Sequence, residues 1–205
     1  FALKRQGLDQ LGLHLLDDSS LFVGSDLPER QRRRWHLLER QKQLAQLHSE
    51  IRDAWATAQG ADRLELGLRL GDSLLRSDLP HEARTVFETL RDEIANNNGI
   101  RQQVLERIVR TYFNEGRYTE ALREAEAVSL EYSPHQPSWL VLHASIALAA
   151  DQPQAAATIL QGLSSVEARL WEVLARWQAR ETPSGAALIA IGQIKIPADN
   201  IRATA

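Results

Sequence analysis

Histidines and carboxylates are the side chains of this sequence that could do catalytic or metal chemistry. No two of the six histidines stand at metal-ligand spacing, and the sequence has no cysteine. It also has no Walker loop, no dinucleotide-binding glycine motif and no Gly-x-Ser-x-Gly element. His143 falls on an apolar helical stretch, so a hydrogen-bonded interhelical histidine is favoured over a ligand or a base. These motifs predict no metal, no cofactor and no enzymatic activity.

Two sets of charged residues are candidate sites. Glu120 and Glu124 share one helix face, but nothing in the sequence indicates a cleft, so a solvated surface is favoured over an acid–base pair. A basic run is interrupted by Glu29 and Glu39 and lacks aromatic residues that could stack on bases; it comprises Arg30, Arg32, Arg33, Arg34, Arg40 and Lys42. An ordinary charged helix face is therefore favoured over a site for an anionic partner such as nucleic acid.

Length and composition indicate one folded domain. The chain has 205 residues, of which 43% are hydrophobic, and its formal net charge is -3. That charge does not indicate nucleic acid or an anionic membrane as partner. No run reaches the roughly 18 apolar residues of a membrane span. The chain begins at Phe1 and contains no methionine, so we expect a fragment or a mature domain, soluble, in the periplasm or the cytoplasm.

The hydrophobic pattern has the period of α-helices through most of the chain. Three pairs of helices with short turns are predicted at 64–75 and 80–94, at 104–113 and 118–130, and at 138–149 and 153–163. Further helices are predicted at 2–16, 28–41, 44–58 and 166–179. Residues 188–196 alternate more like a strand, which leaves the segment 181–205 uncertain.

Small residues recur near the tetratricopeptide period. Ala155 follows Ala121 by 34 residues, and Ala83 precedes Ala121 by 38. The flanking residues resemble the tetratricopeptide repeat family, in which a Trp-x-x-Leu-Gly-x-x-Tyr helix precedes an Ala-x-x-x-Phe helix. The third unit supplies the tryptophan of this pattern, with Trp139, Leu142, Ile146, Ala155 and Ile159 at matching positions. Gly67, Val109 and His143 depart from the pattern.

The resemblance implies an all-α fold, an α-solenoid of stacked antiparallel helix hairpins in a right-handed superhelix. We expect a single repeat domain over 1–205. Within it, 1–60 would be degenerate N-terminal helices, 64–169 three repeat units, 166–180 a capping helix or the start of a fourth unit, and 181–205 a tail of uncertain structure.

In this family the first helix of each hairpin lines a concave groove that holds partners. Carried over by position, the partner-binding residues would be Arg76, Glu106, Arg110, Phe113, Asn114 and Leu140. Phe113 with Arg110 and Asn114 would be the anchor cluster, because aromatic residues and arginine dominate binding hot spots. The Lys/Asn clamp with which some relatives read acidic C-terminal tails is not present.

The resemblance thus implies a non-catalytic, bacterial-type scaffold or adaptor for a protein or peptide partner. Two alternatives stay open. One is a helical accessory domain of a larger cell-envelope enzyme similar to lytic transglycosylases, peripherally associated with an envelope complex. The other is a regulatory module of a transcription factor, which the arginine-rich helix suggests. The sequence does not specify the oligomeric state.

Overall fold

The structure is a computed structural model that describes residues 2–17, 27–94, 98–132 and 136–194, without the side chains of 2–6, 27, 28 and 98. Every regular element in these residues is an α-helix. The helices are α1 (Ala2–Asp17), α2 (Leu27–Arg40), α3 (Leu44–Thr57), α4 (Gly60–Arg76), α5 (Pro80–Glu93), α6 (Asn98–Asn114), α7 (Tyr118–Glu131), α8 (Pro137–Ala149), α9 (Pro153–Leu160), α10 (Val166–Gln178) and α11 (Ser184–Gln193). The predicted all-α fold of antiparallel helix hairpins is confirmed.

The alternating segment near the C-terminus is helical, not extended. Residues 184–193 form α11, where the pattern of 188–196 indicated a strand. The helix packs against α10 and buries Ala187, which is 6% exposed. Tertiary packing of this kind overrides the weak strand preference of isoleucine. The rest of the segment, from residue 195, lies outside the described residues.

Five helix pairs are joined by turns with the same hydrogen bonds; four of these turns have three residues, and the turn between α10 and α11 has five. The second residue of each turn has a positive φ between 58° and 74°; these residues are Lys42, Asp78, Gly116, Asp151 and Arg180. In every turn the next residue donates its N–H to the carbonyl five positions back, at 2.8 to 3.0 Å. The second residue donates its N–H to the carbonyl three positions back, at 3.0 to 3.2 Å. This is a Schellman motif, which satisfies the last carbonyls of the first helix and reverses the chain.

The four three-residue turns fix which residues of their hairpins are equivalent. The residue five positions after the left-handed one is buried in four hairpins, with at most 2% exposure; these residues are Leu47, Ala83, Ala121 and Ala156. The equivalent of Ala121 is therefore Ala156, and the expected match to Ala155 is wrong by one residue. The spacing rule pairs Gly116 with Ala150, whereas the left-handed residue of that turn is Asp151. Ala155 is only half-buried.

The chain divides into two compact units, residues 1–86 and 87–205, and the division falls within α5. The single repeat domain expected over 1–205 stays a prediction, and each unit has its own core.

The first unit is held together by α2 and α3. Helix α2 packs against both α1 and α3, and α3 packs against α4. The core is formed by Trp35, Leu38, Leu47, Ile51, Leu70 and Leu74, none more than 3% exposed. Fully burying a leucine or isoleucine side chain stabilises a fold by about 1.5–3 kcal/mol, so this cluster is enough to dock short helices that would not persist alone.

The second unit has its core between α6 and α10. Trp139 is 2% exposed and packs with residues of α6, α7 and α9; among them are Val109, Ala121, Ala125 and Leu160. The small alanines allow the helices to approach closely, as the sequence indicated. The indole Nε1 of Trp139 donates to the hydroxyl of Ser129 at 3.1 Å, so burial leaves no unpaired donor there.

Candidate functional site

The six partner-binding residues expected from the sequence do not fall in one unit. Arg76 belongs to the first unit, at the end of α4, and the other five belong to the second. There are therefore two candidate surfaces, each within its own unit.

The first surface is a concave cavity of about 300 Å³ formed by α2, α3 and α4, here called the α4 cavity. Its apolar lining comes from Leu47 and Ile51 on α3. Its polar lining comes from Glu39, Glu65, Arg69, Asp72, Ser73 and Arg76. One of these, Arg76, is a partner-binding position expected from the family pattern. Converging charged groups in a concave cavity are able to orient a partner.

The two arginines of the α4 cavity are held in different ways. Arg76 Nη2 lies 2.9 Å from Glu39 Oε1, and this pair is largely exposed to solvent. The guanidinium of Arg69 lies over the ring of Trp35, 5.1 Å from its centroid. Such stacking leaves the N–H groups at the guanidinium edge able to meet a partner. The repeat pattern does not predict a binding role for Arg69 or Trp35. Arg69 follows Glu65 by four residues on α4, so both lie on one helix face, and this spacing could have indicated Arg69.

The second surface lies on α6 and α8. Arg110 and Asn114 are exposed on α6, as expected for binding residues. Glu106 is half-buried and accepts a hydrogen bond from Gln102 Nε2 at 2.9 Å. Leu140 is partly buried and packs against the core of the unit.

Phe113, the expected anchor, is committed to packing. Its ring lies 5.7 Å from that of Tyr118, tilted by 56°, and it packs against the core of the second unit. A partner would therefore meet the edge of a half-buried ring rather than a free aromatic side chain. The role of Phe113, like that of the other five residues, stays a prediction.

The buried histidines serve as hydrogen-bonded contacts between helices. His143 Nδ1 lies 3.1 Å from Ser129 Oγ and joins α8 to α7, in agreement with the expected interhelical role. His48 Nε2 lies 3.1 Å from Ser73 Oγ and joins α3 to α4. Burial lowers the pKa of His48, and the nearby charge of Arg52 lowers it further. Both histidines are thus built into helix contacts.

The arginines of α2 are engaged within the chain. Arg34 donates to Glu50 at 2.8 and 2.9 Å and also pairs with Asp17, and the bonds to Glu50 raise its pKa. Arg40 pairs with Asp9 at 2.9 Å. Arg33, more exposed, pairs with Glu29 at 2.9 Å. The pairs of Arg34 and Arg40 join α2 to α3 and α1, whereas the pair of Arg33 lies within α2.

The carboxylate pair on α7 is likewise partnered. Glu120 accepts from Arg117 Nη2 at 2.8 Å, and this hydrogen bond lowers the pKa of the carboxyl group. Glu124 accepts from Arg123 at 3.2 Å. A carboxyl with a lowered pKa is a poorer general base or acid near neutral pH.

Comparison with solved structures gives the fold its name. The chain superimposes on a kinesin light chain of Podosopora anserina with nearly identical TPR-like repeats, at a TM-score of 0.64 and 15% identity, covering 89% of this chain and 98% of that one. A point variant of that protein gives a TM-score of 0.67 and 16% identity, covering 85% and 96%. This is a tetratricopeptide-like repeat fold. No protein-family model matches the sequence. No curated protein matches it either.

In the tetratricopeptide-like frame, the five turns define hairpins α2–α3, α4–α5, α6–α7, α8–α9 and α10–α11. The α4 cavity then lies on the first helices of two successive hairpins, α2 and α4. Tetratricopeptide-like folds are protein-interaction scaffolds in general. The bacterial assignment stays a prediction.

Two properties of the described residues bear on other classes of function. No group of three or more histidine, aspartate or glutamate side chains in the described ranges could hold a metal ion. No described helix is both long enough and apolar enough to cross a membrane.

Proposed function

We propose that this protein is a non-catalytic interaction scaffold that binds a peptide or helix of a partner protein in the α4 cavity. The observation that carries the proposal is the cavity itself, in which α2 and α4, the first helices of successive hairpins, present opposed charges above an apolar floor from α3. The tetratricopeptide-like fold supports the general role.

The geometry suggests how a partner would be held. The buried side chains of Leu47 and Ile51 close the floor of the cavity, and carboxylate groups of the partner would meet Arg69 and Arg76 at its surface. The stack of Arg69 on Trp35 fixes the guanidinium before binding, which reduces the side-chain entropy lost on association. Because the helices already position these groups, recognition requires little rearrangement.

A peptide-display selection tests the proposal, since a random library can be screened before any partner is identified. The full chain is expected to enrich a sequence motif with acidic residues. Arg69→Glu should reduce binding of the enriched peptides by at least about tenfold, the equivalent of one lost charge-assisted contact. Arg33→Glu, on the exposed part of α2, is the matched control and should bind as the parent does.

The second surface provides the competing outcome. If Arg110→Glu abolishes binding and Arg69→Glu does not, the partner binds on α6 and the α4 cavity is not the site. If no peptide motif is enriched at all, or if enriched peptides bind every variant equally, the proposal of a peptide-binding cavity is wrong.

A further inference from the structure

The last hairpin exposes a position that every other hairpin buries. The eighth residue of the second helix is 0% exposed in four hairpins; these residues are Ile51, Phe87, Ala125 and Leu160. The eighth residue of α11 is Ile191, which is 43% exposed. Leu188, one helical turn earlier, is 70% exposed. The residue type is that of a core position, but nothing in the described residues covers it.

Within the second unit, the structure shows what covers this position one hairpin earlier. Helix α10 packs on both α8 and α9. It presents Ala168 and Ala175, each 0% exposed, with Trp171 packed against the same core. A helix seated on a hairpin of this unit thus carries a small, an aromatic and a small residue, at positions i, i+3 and i+7.

The corresponding surface of the last hairpin is an apolar groove between its two helices, here called the α10/α11 groove. Its cavity measures about 350 Å³, and its lining includes Val173, Leu174, Trp177, Ala187, Leu188 and Ile191. The indole Nε1 of Trp177 donates to Ser184 Oγ at 3.0 Å. The polar end of the indole is therefore satisfied, while the side chain remains 46% exposed.

Charge restricts what could enter the groove. Helix α11 carries no acidic or basic side chain along Ser184–Gln193. A partner that brought a charge against this face would lose hydration without gaining an ion pair. The groove therefore fits an uncharged helix face.

We infer that the α10/α11 groove binds an amphipathic helix of a second polypeptide, seated on α10 and α11 as α10 is seated on α8 and α9. The bound face of that helix carries small and aromatic residues at i, i+3 and i+7. This is a second binding site beyond the proposed peptide-binding cavity, and it uses none of the same residues. It continues the packing already present inside the unit, a helix-in-groove mode of recognition.

A peptide copied from the chain tests the inference directly. A fluorescent peptide of residues 164–180 carries α10 with its own cap, in which Ser165 accepts from the N–H of Ala168 at 3.1 Å. Fluorescence anisotropy with the full chain should show saturable binding. Leu188→Glu places a charge on an exposed side chain of the groove, so it should preserve the fold and weaken binding at least about tenfold.

Two controls make the result specific. Leu130→Glu, on α7, changes a leucine that is 89% exposed and distant in sequence from the groove; it should bind the peptide as the parent does. A peptide with Ala168→Arg and Ala175→Arg blocks the face that α10 buries, and it should not bind.

The inference fails if the peptide shows no binding up to about 1 mM, or if Leu188→Glu binds it unchanged. The second result would mean that the peptide replaces the chain's own α10 rather than adding to it. If the chain dimerises in sedimentation equilibrium, loses the dimer on Leu188→Glu and is not competed by the peptide, the groove is an interface between two copies and the helix partner is refuted. Loss of peptide binding on Arg69→Glu would also contradict a separate site.

Discussion

Replacing Gly116 by alanine would measure how strongly the hairpin turns are determined by backbone conformation. Gly116 has φ of 74°, and an added Cβ would meet nothing closer than 3.9 Å, at the hydroxyl of Tyr118. Steric contact with the rest of the fold therefore adds nothing to the cost. The left-handed conformation costs an alanine about 1–2 kcal/mol, and the lower entropy of the unfolded alanine chain offsets about 0.4–1 kcal/mol of it. We expect Gly116→Ala to lower the free energy of unfolding by about 1 kcal/mol.

The matched control is the same change at Gly99. Gly99 lies in the first turn of α6 without a positive φ, and nothing lies within 4 Å of the added Cβ. Alanine should there raise stability by about 0.5 kcal/mol through helix propensity. Urea unfolding followed by far-ultraviolet circular dichroism gives both values, provided that the slopes agree. Effects of the same sign for the two variants would refute the argument that the turn conformation, rather than glycine content, decides stability.

Three further predictions concern the hairpin register, an ion pair and a histidine. Ala156→Leu should lower the free energy of unfolding by about 1–3 kcal/mol through overpacking, and a urea midpoint equal to the parent's would show that the turn register is wrong. Arg34→Ala should lower the free energy of unfolding by about 2 kcal/mol, because it leaves a half-buried carboxylate on α3 without its partner. Arg33→Ala, on the exposed face, should lower it by only about 0.3 kcal/mol. Equal urea midpoints for the two variants would contradict this prediction. Burial lowers the pKa of His48 in the folded chain, so on acidification the unfolded chain binds this proton first. The free energy of unfolding should therefore not depend on this group above about pH 6.5. It should fall as the pH drops from that value towards the lowered pKa of the folded chain. Urea midpoints between about pH 7.5 and 5.5 should show this fall for the parent and a smaller one for His48→Gln, and identical pH profiles would exclude His48 as its source.

The sequence predicts most of the helices because apolar residues with helical period are also the residues that the fold buries. Trp139 and Ala121 illustrate this, since the repeat pattern assigns both to packing and both are buried. The predicted repeat register is wrong at Ala155 because the turn before it has an aspartate in the left-handed conformation. A glycine in a turn indicates that conformation from the sequence, whereas an aspartate does not. Only Gly116 of the five turn residues is a glycine, so the spacing between alanines is a poor substitute for the turn itself.

The candidate sites are harder to predict from the sequence than the helices. They depend on which side chains pack inside the fold and which remain accessible to a partner. Phe113 looks available in the sequence, yet its ring packs on Tyr118. Arg69 looks ordinary, yet its stack on Trp35 places it in the α4 cavity. Contacts between different helices determine whether Phe113 and Arg69 are accessible. The residue pattern within a single helix does not specify those contacts.

The exposure of Ile191 follows from its place in the stack and not from detachment of α11. The α10–α11 turn has the same two hydrogen bonds as the other four, and Ala187 is buried against the hairpin. A docked helix with exposed core-type residues differs physically from a frayed one, because its apolar groove is already formed and binding need not order it. The α10/α11 groove is uncharged, whereas the α4 cavity is lined by three carboxylates and two arginines. Added salt should therefore weaken association at the cavity and leave association at the groove nearly unchanged, since screening acts on charges and not on apolar contact.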